Sequence, residues 1–181
     1  MKIDYFAVII GAVQLFVSLF IGVFYIFFAY WFFKKMTTTI DDTSELKKNN
    51  VALALFLGAV LFSVVWITRH SIIAGMEGLS LVMGTPGISA LINYLIITGI
   101  LLLQVFLSGT IAFFSIWLAV RIFMVLTRNI DEMNEIKGNN MAIAIIIAVL
   151  IIGISLFIEP AIKNIMNGLV PYPVVDILPR K

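Results

Sequence analysis

The chain has 181 residues, of which 62% are hydrophobic and 12% charged, and its mean hydropathy is +1.12. Soluble domains carry about 25% charged residues, so this composition excludes an ordinary soluble protein and predicts an all-α integral membrane protein. The net charge of +2 gives no reason to expect a nucleic-acid partner. The absence of cysteine and the single histidine exclude disulfides, thiolate catalysis and multi-histidine metal sites.

Four apolar runs are long enough to cross a bilayer as helices, which takes about 20 apolar residues. We predict alternating long and short spans at 5–33, 51–68, 93–124 and 141–158. The second span is predicted to end at Arg69 and His70, because charged residues are costly in hydrocarbon. The fourth is predicted to end at Glu159 and Pro160, because proline disfavours helix at the residue before it.

Each short span is followed by a less regular apolar stretch, which we interpret as a short interfacial helix. The first stretch, "SIIAGMEGLSLVMGTPGISA", is broken by glycines and a proline, so another full crossing is unfavourable. The second stretch is predicted to form one amphipathic helix followed by a tail interrupted by prolines. Both stretches are therefore expected at the membrane surface.

The polar loop between the first two spans has a near copy between the last two. The first reads "TTTIDDTSELKKNN" and the second "TRNIDEMNEIKGNN". Ile40 matches Ile130 (130 − 40 = 90), and the same offset pairs Gln14 with Gln104. No gap is needed from Gln14 to Leu169. We interpret the pattern as a tandem duplication.

The two repeats, residues 1–90 and 91–181, are expected to form one membrane domain. Because two crossings return the chain to its starting side, the repeats are predicted to be parallel, unlike the inverted repeats of many transporters. Seven Lys and Arg residues lie in or beside the repeated loops, and five lie on the other side. The positive-inside rule then predicts cytoplasmic loops, with both termini outside the cell membrane.

Two interpretations of the repeated loops are open. Asn50 and Asn140 directly precede the short spans, where asparagine caps a helix, and Asp42 with Glu45 resembles a capping box. On this reading the loops turn the chain and start the next span. Alternatively, the repeated charges form a docking patch for a cytoplasmic protein, composed of Asp41, Glu45, Lys47, Asp131, Glu135 and Lys137.

The repeated motif also carries a resemblance to a known family. The pattern T-x-x-I-D-[DE]-x-x-E-[IL]-K-x-N-N-x-A-[IL]-A occurs twice, each time before a short span. It resembles the motif of the small tandem-repeat bacterial inner-membrane proteins called Domain of Unknown Function 350, over residues 14–169. Lys48 departs from the glycine that the family tends to have there, whereas Gly138 keeps it. The resemblance implies a four-span membrane protein and supplies neither catalytic residues nor an activity.

Polar residues inside the long spans indicate helix contacts or a pathway. Gln14 and Gln104 are each followed at i+4 by a serine, Ser18 and Ser108, on the same helix face. Such side chains can form hydrogen bonds between membrane helices, and we expect both glutamines to face protein. The alternative is a polar stripe along a narrow passage.

Arg69 and Glu159 occupy equivalent positions in the two repeats (159 − 69 = 90). They are candidates for an ion pair at the outer membrane edge, and the alternative is that each side chain extends separately to the interface. His70 and Glu77 are seven residues apart, which allows one helix face. A proton relay through them would require positions deeper in the span.

The sequence contains no set of residues typical of catalysis, and we expect no enzyme activity, metal or cofactor. The favoured function is a structural or accessory subunit that forms a homo-oligomer or packs with other membrane subunits, in contact with lipid. The alternative is an oligomeric channel or transporter, whose polar stripe would include Gln14 and Gln104.

Overall fold

The computed structural model describes residues 5–38, 40–83, 88–128 and 130–169. In these ranges the chain forms α1 (Tyr5–Met36), α2 (Asp42–Lys47), α3 (Val51–Met83), α4 (Ile88–Leu126), α5 (Glu132–Lys137) and α6 (Met141–Gly168). The short helix α5 begins and ends 90 residues after α2 (132 − 42 and 137 − 47). The predicted turn at 84–87 and the predicted C-terminal tail after Leu169 lie outside the described residues.

Four of the helices are long and apolar enough to cross a membrane, so the chain is a multi-pass membrane protein. Their candidate spans are Gly11–Met36, Val51–Gly78, Leu95–Leu126 and Met141–Gly168. These four spans correspond in chain order to the four predicted from hydropathy. At 1.5 Å per residue, α4 with its 39 residues is about 58 Å long, so it must tilt or project beyond a hydrocarbon core of about 30 Å.

The predicted ends of the two short spans are wrong. Helix α3 continues beyond Arg69 and His70 to Met83, and α6 continues through Pro160 to Gly168. The segments predicted as separate interfacial helices are thus the last turns of α3 and α6. The continuation is possible because the charged residues pair with one another inside the bundle, and because apolar residues beyond them, among them Ile162, are buried against neighbouring helices.

Helix α3 lies at the centre of the bundle and α1 at its edge. In the most apolar 18-residue segment of α3, 50% of the residues are buried, against 17% in that of α1. Helix α3 packs most extensively on α6 and α4. Close packing on α4 depends on Gly75, since a Cβ there would lie 2.8 Å from Leu101 Cγ. Small residues commonly allow membrane helices to approach in this way.

The loop end of the bundle is closed by the two short helices. Ile40 and Ile136, which flank or belong to these helices, are buried in the same apolar cluster as Phe33 and Phe56. The rings of Phe33 and Phe56 lie 5.0 Å apart in an edge-to-face arrangement. The polar loops therefore stand on an apolar base that fixes them to α1 and α3.

Candidate functional site

The short helices α2 and α5 begin at the same kind of cap. Asp41 accepts a hydrogen bond from the Ser44 backbone N–H at 3.4 Å, and Asp131 accepts one from the Asn134 N–H at 3.2 Å. The capping box predicted at Asp42 is wrong, because the N-cap is one residue earlier. Asp42 is instead buried and accepts a hydrogen bond from the Thr37 hydroxyl at 3.0 Å.

The paired asparagines end one helix and begin the next. Asn49 and Asn139 have positive φ values of 60° and 62°, a conformation that asparagine tolerates better than most residues. The following residues, Asn50 and Asn140, donate their backbone N–H back to the short helix at 3.1 and 2.9 Å, completing Schellman-type turns. Their side chains then accept from the first N–H groups of α3 and α6.

The two loops are also joined to each other by asparagine side chains. The Asn50 amide donates to the carbonyl oxygens of Ile136 and Lys137, at 3.0 and 3.1 Å. In return, Asn139 Oδ1 accepts from the Ala52 N–H at 2.9 Å. The Ile136 carbonyl also accepts from the Asn139 N–H. The bonds to the Lys137 carbonyl and from the Ala52 N–H pair backbone groups that are costly to leave unpaired near hydrocarbon. The two loops thus use different asparagines for these contacts, Asn50 in the first loop and Asn139 in the second.

Residues of the predicted docking patch have differing environments. Glu45 is buried and accepts from Lys48 at 2.9 Å, and the hydrogen bonds from Lys48 and then Asn50 hold the pKa of its carboxyl below its ordinary value of 4.5. Glu135 is exposed and accepts from Asn140 at 2.7 Å. The remaining members are all exposed, namely Asp41, Lys47, Asp131 and Lys137. Intramolecular contacts therefore account for all four acidic residues. Neither lysine forms an ion pair with the described residues, although the charge of Lys137 also helps to lower the pKa of Glu45.

A group of charged and aromatic side chains joins α3 to α6. The Arg69 guanidinium and the Glu159 carboxylate form an ion pair. Glu159 also accepts from the indole N–H of Trp66 at 2.8 Å, and its Oε1 lies 2.8 Å from His70 Nε2. The Arg69 guanidinium stacks on Trp66 at 3.6 Å from the ring centroid. We call these four residues the charged cluster.

The histidine in the charged cluster has one consistent role. His70 Nε2 lies 3.3 Å from Arg69 Nε, a donor, and 2.8 Å from Glu159 Oε1, an acceptor. One ring nitrogen cannot accept from arginine and donate to the carboxylate at the same time. Because the carboxylate contact is shorter and charge-assisted, we assign the proton to Nε2, which donates to Glu159.

The charged cluster lies inside two candidate spans. Arg69 and Glu159 each follow the first residue of their helix, Val51 or Met141, by 18 positions, about 27 Å along the axis. Each also precedes the last residue of its candidate span by nine positions. Charged groups at such positions are expensive unless paired, and here the carboxylate receives three donors.

A second set of polar contacts connects α4 to its neighbours. Gln104 is fully buried, and its amide donates to the Met166 carbonyl of α6 at 2.9 Å, while its Oε1 has no partner among the described residues. The hydroxyls of Ser108 and Tyr25 of α1 lie 3.0 Å apart, and Tyr25 also donates to the Val105 carbonyl. In α4 the glutamine and serine thus face protein.

The matching residues of α1 have different surroundings. Gln14 is exposed and Ser18 is half-buried, and neither forms a hydrogen bond with the residues that the structure describes. They lie on one helix stripe with Ile21 and Tyr25, at i, i+4, i+7 and i+11, and both of these later residues are buried. The core-facing stripe of α1 therefore continues past the level at which other helices cover it.

Trp66, His70 and Tyr25 were not identified as partners from the sequence. Trp66 lies three residues before Arg69, a spacing at which helix side chains meet, so a signal was present. His70 was considered only with Glu77, seven residues further along the same helix. Tyr25 stands in an aromatic run that gives no sign of its hydroxyl contacts.

The family comparison agrees with the resemblance in the loops. The model for Domain of Unknown Function (DUF350) matches residues 6–162, which is most of the chain. No curated protein and no solved structure matches. Among the described residues, no three His, Asp or Glu side chains are grouped so that they could hold a metal ion.

Proposed function

Because the chain belongs to the Domain of Unknown Function (DUF350) family and its first helix leaves an amide uncovered, we propose that it is a non-enzymatic structural or accessory membrane subunit. It assembles through α1, with copies of itself or with other membrane subunits. The observation that carries this proposal is the exposed Gln14 on a stripe that is otherwise core-facing. A glutamine amide inside a span gains from a protein partner that lipid tails cannot provide.

We propose that the subunit is built from two parallel tandem repeats. Three observations support this organisation. The sequence match at an offset of 90 residues needs no gap, α5 begins and ends 90 residues after α2, and paired asparagines occur in both loops. Parallel repeats place both loops on one side of the membrane. The excess of Lys and Arg there supports a cytoplasmic position for the loops in the cell membrane, with the termini outside.

Cross-linking at single cysteines tests the assembly surface directly, because the chain has no cysteine of its own. Ser18→Cys places a thiol on the uncovered stripe with little change in volume. Phe16→Cys, 200° away around the helix from Gln14, serves as the control on the opposite face. Oxidation in native membranes should cross-link the Ser18 variant and not the Phe16 variant. Equal cross-linking of both would contradict a specific α1 surface.

An oligomeric channel is the second candidate, and the exposed position of Gln14 is the observation that favours it. Gln104 is enclosed between helices, so a passage formed within one chain would not expose both glutamines. A pore would have to lie between copies, with Gln14 on its wall. Conductance in a reconstituted bilayer that is altered by Gln14→Leu would support the channel, and its absence would favour the structural subunit.

A further inference from the structure

A groove between α1 and α4 has the chemistry of an amphiphile site. It begins at Tyr25, which contacts α4 so closely that a Cβ on Gly109 would lie 3.0 Å from its ring. A cavity of about 280 Å³ surrounds this contact between the two helices and extends towards the loops as far as Phe32 and Phe113. Aromatic rings dominate its wall, including Phe28 of α1 and Phe113 of α4.

The groove continues into a second cavity at the loop end. This cavity measures about 410 Å³ and adjoins the first at Phe32, which lines both. Lys35 of α1 and Arg121 of α4 stand on its two sides, and Met133 of α5 also lines it. The groove is therefore apolar and aromatic along its length and cationic at one end.

The two cations at the groove mouth are available for an anionic ligand. Both side chains are exposed, and neither forms an ion pair with a carboxylate in the part of the chain that the structure describes. Each lies beside a tryptophan, with Lys35 Nζ 5.6 Å from the Trp31 ring and Arg121 Cζ 5.7 Å from the Trp117 ring. Tryptophan and basic residues commonly meet at the level of lipid headgroups.

The length of the groove fits one leaflet. From Phe24 to Lys35, α1 advances 11 residues, about 16 Å. Half of a hydrocarbon core of about 30 Å is about 15 Å. An acyl chain lying along the aromatic wall would thus bring its headgroup to the level of the two cations. Clusters of Lys and Arg at this level attract anionic lipids.

We propose that the α1–α4 groove binds an anionic phospholipid of the loop-side leaflet. Its phosphate lies between Lys35 and Arg121, and one acyl chain lies in the aromatic cavity. The site extends from Tyr25 towards the loops, beyond the uncovered residues Gln14 and Ser18, so it does not depend on the proposed assembly. The repeat offset does not reproduce it, since the residues equivalent to Lys35 and Arg121 are Val125 and Trp31.

Native mass spectrometry of the intact, delipidated protein tests the headgroup part of this site. The probes are phosphatidylglycerol and phosphatidylcholine with identical acyl chains, added to equal concentrations. We expect phosphatidylglycerol to bind more tightly, and Lys35→Gln with Arg121→Gln to weaken its binding about 25-fold, at about fivefold per charge. Lys34→Gln is the control, because Lys34 neighbours Lys35 without lining the groove. Equal binding of both lipids, or equal loss in the control, would overturn the proposal.

A variant with a bulky side chain in the groove tests whether the aromatic cavity binds an acyl chain. Thr110 is exposed on the cavity wall, so Thr110→Trp should occupy the cavity and abolish phosphatidylglycerol binding without changing the helix. Leu102→Trp is the control at an exposed position of the same helix that does not line either cavity. Unchanged lipid binding in Thr110→Trp would contradict the site. A second copy of the chain bound in the groove in place of lipid would contradict it as well.

Discussion

His70 on α3 and Glu159 on α6 meet through Nε2 and Oε1, 2.8 Å apart, inside two candidate membrane spans. Glu159 also pairs with Arg69, which occupies the equivalent position in the other half of the chain. The contact connects the two helices that pack most extensively on each other. The charged cluster thus pairs the opposite charges of Arg69 and Glu159, which avoids the free-energy cost of two separate charges inside the spans.

Removing one partner of the Arg69–Glu159 ion pair should destabilise the protein more than removing both. Glu159→Leu leaves the Arg69 guanidinium without its carboxylate. We expect the free energy of unfolding to fall by about 2–3 kcal/mol. Breaking a fully buried pair costs about 3–5 kcal/mol, and the loss is smaller here because the Arg69 side chain is 38% exposed. Adding Arg69→Met should restore most of the loss. Chemical unfolding in micelles measures both variants.

The control for the charged cluster is Lys163→Met, which removes an exposed charge of α6 that has no ion pair among the described residues. Its effect should be small, since isolated surface charges contribute little. A double variant as unstable as Glu159→Leu alone would show that the pair itself stabilises the fold and would contradict this interpretation.

The two positive-φ asparagines should respond differently to glycine. Asn139→Gly keeps the left-handed conformation but loses the bond to the Ala52 N–H, so we expect a loss of about 1 kcal/mol in stability. Asn49→Gly, the matched control, has no such cross-loop bond and should be neutral or slightly stabilising. Thermal unfolding of the two variants compares them. Equal effects would show that the contact between loops is energetically unimportant.

The effect on stability of replacing Glu45 should depend on pH and become smaller in acid. The pKa of Glu45 is lowered by Lys48 and Asn50, so its contribution to stability is present above pH 4.5 and is lost as the pH falls through the lower folded value. Burial raises the pKa of Asp42, whose contribution has the opposite sign. We expect Glu45→Gln to lower the Tm at pH 7, and the difference from the parent to shrink as the pH falls below 4.5. A Tm difference that is constant with pH would contradict this assignment.

The sequence predicted the four crossings and the Asn caps of α3 and α6, because hydropathy and local spacing determine both. It failed at the ends of α3 and α6, because Arg69 and Glu159 were each treated as a charge alone. Their equivalence suggested a pair, but the contributions of Trp66 and His70 depend on how two helices pack. Positions 14 and 104 are 90 residues apart and both are glutamine, so only tertiary packing could make Gln14 exposed and Gln104 buried.

The docking hypothesis can be tested without disturbing the fold. Lys47 and Lys137 are exposed and have no ion pair among the described residues, so Lys47→Gln with Lys137→Gln should change the Tm only slightly. If a cytoplasmic protein docks at both loops, this double variant should lose the partner in co-purification. Lys163→Gln, on another part of the chain, should retain it. Unchanged co-purification in the loop variant would remove the hypothesis.

Native mass measurement of the full chain in a mild detergent tests the proposed subunit role most directly. One chain has a mass of 20.2 kDa. We predict species at multiples of this mass, or a larger complex with other membrane proteins, and a shift towards the single chain in Gln14→Leu. Gln104→Leu, which changes the buried partner of Met166, should lower stability without this specific shift. A single chain of 20.2 kDa as the only species, in wild type and variants alike and also in native-membrane nanodiscs, would contradict the proposal.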